Sequence, residues 1–98
     1  MQDATSADLG NRIMTIFDLQ KKLYESNVPE RWYSLNQGLK PDALILYKNY
    51  SHWEFFYLSE KGDKLDFKLF LNESDAFEYF WKKILKQLDV FDVKPKTN

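Results

Sequence analysis

Residues 43–72 read ALILYKNYSHWEFFYLSEKGDKLDFKLFLN, and this stretch constrains the fold more than any other. It contains three strand-length runs, ALILYKN, SHWEFFYLSE and KLDFKLFLN, with turn residues at 49–51 and 60–63. Gly62 can take the positive φ that the second turn needs. Connections this short join antiparallel neighbours, because parallel strands need a longer crossover. The segment therefore predicts a three-stranded meander. In the last run Leu65, Phe67, Leu69 and Leu71 alternate with Lys64, Asp66 and Lys68, the pattern of a strand with one buried face. The middle run breaks that pattern. Trp53, Phe55 and Tyr57 fall on one face and Phe56 and Leu58 on the other, so both faces are apolar. Either protein covers both, or one is kept for a partner.

The flanking segments predict helices. TIFDLQKKLYE has Thr15 as N-cap with Asp18 three residues on, a capping-box spacing. Ile16, Leu19 and Leu23 then recur at helical intervals. Asn27 suits the left-handed residue past the helix end, and Pro29 blocks continuation. ESDAFEYFWKKILKQLDVF carries a wide apolar stripe of Phe77, Phe80, Trp81, Ile84, Leu85 and Leu88. Asn72 or Ser74 caps it, and Glu73, Asp75 and Glu78 near its start favour the helix dipole. Between the first helix and the meander, Trp32, Tyr33 and Leu35 suggest a short strand, followed by a loop marked by Asn36, Gly38 and Pro41. The expected fold is α+β: an antiparallel sheet of three or four strands, with an N-terminal and a C-terminal helix packed on one face.

The 98 residues fit one small domain. Its expected bounds are 14–92, with flexible segments at 1–13 and 93–98. Organised sequence begins at Met14, which predicts that Met14 is the natural start. An intact mass that included residues 2–13 would refute this. The chain has no cysteine, so it forms no disulfide and no thiolate metal site. No apolar run approaches a membrane span, and residues 1–13 lack a secretory pattern. A cytoplasmic protein without membrane contact is the expectation.

Catalytic signatures are hard to assemble. His52 is the single histidine. No nucleophile elbow or phosphate-cradling glycine loop accompanies it. The acidic residues fall mostly in turns and at a helix start, where they serve solubility and capping. No catalytic, cofactor-binding or metal-binding residues are assigned, and the expectation is a protein that is not an enzyme. The order helix, three strands, helix is also that of double-stranded RNA-binding domains, which grip phosphates with basic residues at the start of the second helix. Here that start is NESDAFEY, which is acidic, and the net charge is −1, so direct nucleic-acid binding is not expected. What remains is an aromatic sheet with an acidic fringe, in a chain that is 17% aromatic. Aromatic residues anchor protein interfaces.

The segment YSLNQGL at 33–39, the strand ALILYKN, WEFFYLSEKGDK at 53–64 and the helix start ESDAFEYFWKKI resemble small bacterial immunity proteins of polymorphic-toxin and contact-dependent growth inhibition systems. The resemblance runs from about Met14 to Leu88. Leu58 departs from the pattern as an extra residue before Ser59 and Glu60, which suggests a bulge in that strand. The resemblance implies a non-enzymatic inhibitor that binds a cognate toxin domain, often a nuclease, and blocks its active site or substrate path. Acidic side chains would steer such a protein toward a basic nuclease surface. The expected contacts are Glu54, Glu60, Asp63 and Asp66, with Glu73 and Asp75 beyond them, and Trp53 and Phe56 as apolar anchors. An adaptor or a homodimer using the aromatic face is the alternative.

Overall fold

A computed structural model describes residues 13–91; the flexible segments expected at 1–13 and 93–98 lie outside the described residues, Ile13 apart. The order is α1 (Ile16–Glu25), a 3₁₀ turn (Glu30–Trp32), β1 (Tyr33–Leu35), β2 (Ala43–Asn49), β3 (His52–Leu58), β4 (Lys64–Phe70) and α2 (Glu73–Phe91). The local signals explain the boundaries. Thr15 and Asp18 form the reciprocal capping box. Asn27 takes φ 59° past α1, and Gly62 takes φ 92° in the β3–β4 turn. Asn72 Oδ1 accepts from the Asp75 backbone N–H at the start of α2, so of the two predicted caps Asn72 does the work. The Ser74 hydroxyl instead accepts from the Met14 N–H, tying the entry of α1 to α2.

The four strands lie in the order β1-β2-β3-β4. β2, β3 and β4 form the expected antiparallel meander. β1 departs from expectation: it runs parallel to β2, with Tyr33, Ser34 and Leu35 opposite Leu44, Ile45 and Leu46. The sheet is therefore mixed rather than fully antiparallel. A three-residue strand is only about 10 Å long, so the loop at 36–42 can carry the chain back to its starting level without a helical crossover. Asn36 pins that loop. Its N–H donates to the Leu46 carbonyl, and its side-chain oxygen accepts from the Lys48 N–H.

Both helices share one core with one sheet face. Leu19 and Leu23 of α1 and Phe77, Phe80, Ile84 and Leu88 of α2 cluster with Leu35, Leu44, Leu46, Trp53 and Phe55. Trp53 meets Phe77 edge-on at 4.9 Å, and Phe55 meets Tyr79 at 5.1 Å in the same way. The opposite face carries a second, smaller cluster of Ala43, Ile45, Phe56 and Leu58, with Tyr47 packed against it. No helix or strand overlies that cluster among the described residues. Its own neighbours cover it: Phe67 stacks on Phe56 at 6.3 Å, Tyr47 meets Phe56 edge-on, and the Lys64 ammonium sits 4.9 Å from its ring centre.

β4 corrects two expectations. The bulge falls in β4, not in β3: Phe55 pairs with Lys68 and Tyr57 with Leu65, so Asp66 and Phe67 together oppose Phe56. Asp66 takes φ 57° there. The strand is also not half-buried, since its residues are exposed from Lys64 to Leu69. Its charged side, with Asp66 and Lys68, turns toward the helices, where Asp66 pairs with Lys83 at 2.7 Å. Phe67 and Leu69 turn away from them.

If the outer cluster is a true core, Phe56→Ala should destabilise the fold by about 3–5 kcal/mol, as Phe77→Ala should. Urea unfolding checks this; a cost below about 1 kcal/mol for Phe56→Ala would show that the outer cluster carries no packing energy.

Candidate functional site

The outer face of the sheet, opposite the helices, is where apolar and polar groups converge without a covering helix or strand among the described residues. Its apolar floor is Ile45 and Phe56, both fully buried by the side chains around them. Around that floor the side chains emerge. Phe67 and Leu69 of β4 are about half exposed (47% and 50%), and Leu39, from the loop at 36–42, is 66% exposed. A shallow cavity of about 460 Å³ lies among Leu39, Gly38, Ile45, Tyr47, Phe56 and Lys64.

At one end of this face Glu54 is fixed by three donors. The Tyr47 hydroxyl donates to one carboxylate oxygen, and Asn49 Nδ2 donates to the other at 2.9 Å. His52 Nε2 lies 2.9 Å from that second oxygen. The sequence arranges this directly. Tyr47 stands opposite Glu54 in the β2–β3 pairing and Asn49 opposite His52, so the end of the hairpin places all four polar groups together. These hydrogen bonds, Tyr47 first, hold the Glu54 carboxyl at about 2, well below its ordinary range. The same bond raises the Tyr47 hydroxyl. Among the described residues, the only ion-pair partner of Glu54 is His52; no lysine or arginine is paired with it. The result is an oriented negative charge beside Leu69, its neighbour in the β3–β4 pairing.

The sequence-predicted contacts separate into several places. Trp53 and Phe56 are interior, at 5% and 0% exposure, and cannot act as surface anchors: Trp53 is packed under α2, and Phe56 lies beneath Phe67, Tyr47 and Lys64. Glu54 is on the outer face. Glu60 and Asp63 are exposed in the β3–β4 turn, at the opposite end of β3 from Glu54. Asp66 faces the helices, where the hydrogen bond from Lys83 lowers its carboxyl and raises the lysine. Glu73 and Asp75 are exposed in the first turn of α2. The expected single acidic cluster is thus divided between both ends and both faces of the sheet.

Sequence reasoning missed Phe67 and Leu69 as surface residues. A signal existed: Lys83 stands at the margin of the apolar side of α2 at mid-helix, which anticipates a charge on the strand beside it. Among the described residues no group of three or more His, Cys, Asp or Glu could hold a metal ion, and no helix is long and apolar enough to cross a membrane. No protein-family model, curated protein or solved structure matches the chain.

The depressed Glu54 carboxyl makes its contribution pH-dependent. A carboxyl lowered on folding stabilises the protein fully above its unfolded value, near 4.5, and the gain fades as pH falls through about 2. Glu54→Gln should therefore be less stable than the parent chain at neutral pH, with the gap closing between about pH 4.5 and 2. Thermal melts across that range check it; a gap that stays constant would mean the charge is not what the three donors stabilise.

Proposed function

We propose that this chain is a non-enzymatic inhibitor, an immunity protein that binds a toxin domain through the outer face of its sheet. The observation that carries the reading is the exposed Phe67–Leu69 strip beside the oriented Glu54 carboxylate, on a face that no helix or strand overlies among the described residues. Apolar side chains of this size supply burial, and a fixed charge at their margin supplies orientation. Glu60 and Asp63, exposed at the other end of the sheet, add negative potential that favours approach to a basic surface such as the phosphate-binding site of a nuclease. The resemblance of 33–39 and 53–64 to immunity proteins of polymorphic-toxin systems supports the same reading. In it, Trp53 and Phe56 keep the face rigid, and the contact residues are Phe67, Leu69 and Glu54.

The test is protection. Cells producing the chain's cognate toxin domain, sought first among genes next to its own, should survive when the chain is co-produced, and the two proteins should co-purify as a one-to-one complex. Phe67→Asp should abolish both. Charge reversal of Glu60 and Asp63 together should slow association by about tenfold at low salt, an effect that shrinks as salt rises. Survival that is unaffected by Phe67→Asp, in a variant with an intact circular dichroism spectrum, would overturn the choice of face. Failure of the chain to protect or to bind would overturn the function.

A further inference from the structure

The outer face is self-complementary under a twofold rotation. Its centre is the stacked pair Phe56 and Phe67. Glu54 lies two residues before Phe56 on β3, and Leu58 lies two residues after it, with Lys64 paired beside Leu58. Glu54 and Lys64 therefore sit at opposite ends of one face, each about 7 Å along the strands from the aromatic centre. Neither is paired with an opposite permanent charge among the described residues. Among the described residues Lys64 forms no ion pair, its ammonium resting over the Phe56 ring, and Glu54 has only His52.

We propose that this face closes on the same face of a second copy, giving a twofold-symmetric dimer with the two sheets stacked. A rotation axis lying in the interface and running across the strands at the level of Phe56 and Phe67 keeps the aromatic centres in register. The same rotation exchanges the two ends of the face. Glu54 of each copy then arrives above the Leu58–Lys64 row of the other, within one strand spacing of Lys64, a distance a lysine side chain spans. Two equivalent Glu54–Lys64 pairs flank a centre of Phe67 on Phe67, which is the reciprocity that an isologous contact requires. Stacked sheets with nearly aligned strands are a standard packing. Charge complementarity favours this occupant: Glu54 and Lys64 stand at opposite ends of the face, and the rotation brings each onto the other in the second copy.

The face is small. Three strands of seven residues and one of three, at about 3.3 Å per residue and about 4.8 Å apart, give roughly 400 Å² in plane. A stable interface takes about 800 Å² from each partner. The contact falls at the small end of specific interfaces, so the dimer is weak and is sought at high protein concentration. The inference goes beyond the inhibitor reading and needs only the chain itself. It also gives the free protein a cover for Phe67 and Leu69 that a tighter partner would displace.

Sedimentation equilibrium of the whole chain, from about 10 μM to about 1 mM, tests it. The parent chain should pass from monomer to dimer across that range. Lys64→Glu and Phe67→Ser should each weaken the dimer by tenfold or more, while Lys82→Glu, on the exposed side of α2, should leave it unchanged. All three sites are exposed, so the variants should retain the parent circular dichroism spectrum. A monomer throughout would overturn the proposal. So would a dimer as strong in Lys64→Glu and Phe67→Ser as in the parent, or one that Lys82→Glu weakens equally. Because no toxin domain enters the experiment, its failure leaves the protection result standing, and the reverse also holds.

Discussion

The structure depends on β3 being buried on both sides by different means. On one side Trp53 and Phe55 lie under α2, fixed by edge-on contacts with Phe77, Tyr79 and Phe80. On the other, Phe56 and Leu58 lie under side chains from adjacent strands rather than under a second layer. A small domain has little core, so each large aromatic residue at its centre supplies a sizeable share of the apolar burial that opposes chain entropy. Covering the outer side with Phe67, Tyr47 and the Lys64 stem leaves the covering groups themselves partly in water. The exposed strip is thus a consequence of how Phe56 is buried.

The bulge in β4 makes this arrangement work. An uninterrupted strand would place every second residue on the same side from Lys64 onward. The extra residue at Asp66 and Phe67 lets Phe67 oppose Phe56 while Asp66 reaches the helices. There Lys83 and the Tyr79 hydroxyl receive it. This exposed ion pair contributes little energy on its own, but it answers a charge that would otherwise lie against α2.

Much of the fold was legible in the sequence because its signals are local. The Thr15–Asp18 box, Asn27, Gly62 and the apolar stripe of α2 each act within a few residues, and each does in the structure what its spacing predicts, except that Leu85 of the stripe is exposed. The double-sided character of β3 was legible too. What was not legible depended on pairing between distant segments. The parallel direction of β1 follows from a loop path that no residue pattern encodes. The alternation of β4 suggested a buried apolar face, and a one-residue register shift with Lys83 beneath it assigned the charged face to the helices instead. The same failure misplaced the site. Trp53 and Phe56 were the most conspicuous aromatics in the sequence, and they are buried for the same reason they are conspicuous. Phe67 and Leu69 looked like core and are the surface.

The central claim is that recognition takes place on the sheet face opposite the helices. The most direct test is an amide and methyl NMR titration of this chain with a toxin domain against which it protects cells. Perturbations should be confined to Leu39, Tyr47, Glu54, Phe67, Leu69 and their immediate neighbours, with α1 and α2 silent. Perturbations centred on the exposed sides of α1 or α2, with Phe67 and Leu69 unmoved, would contradict it.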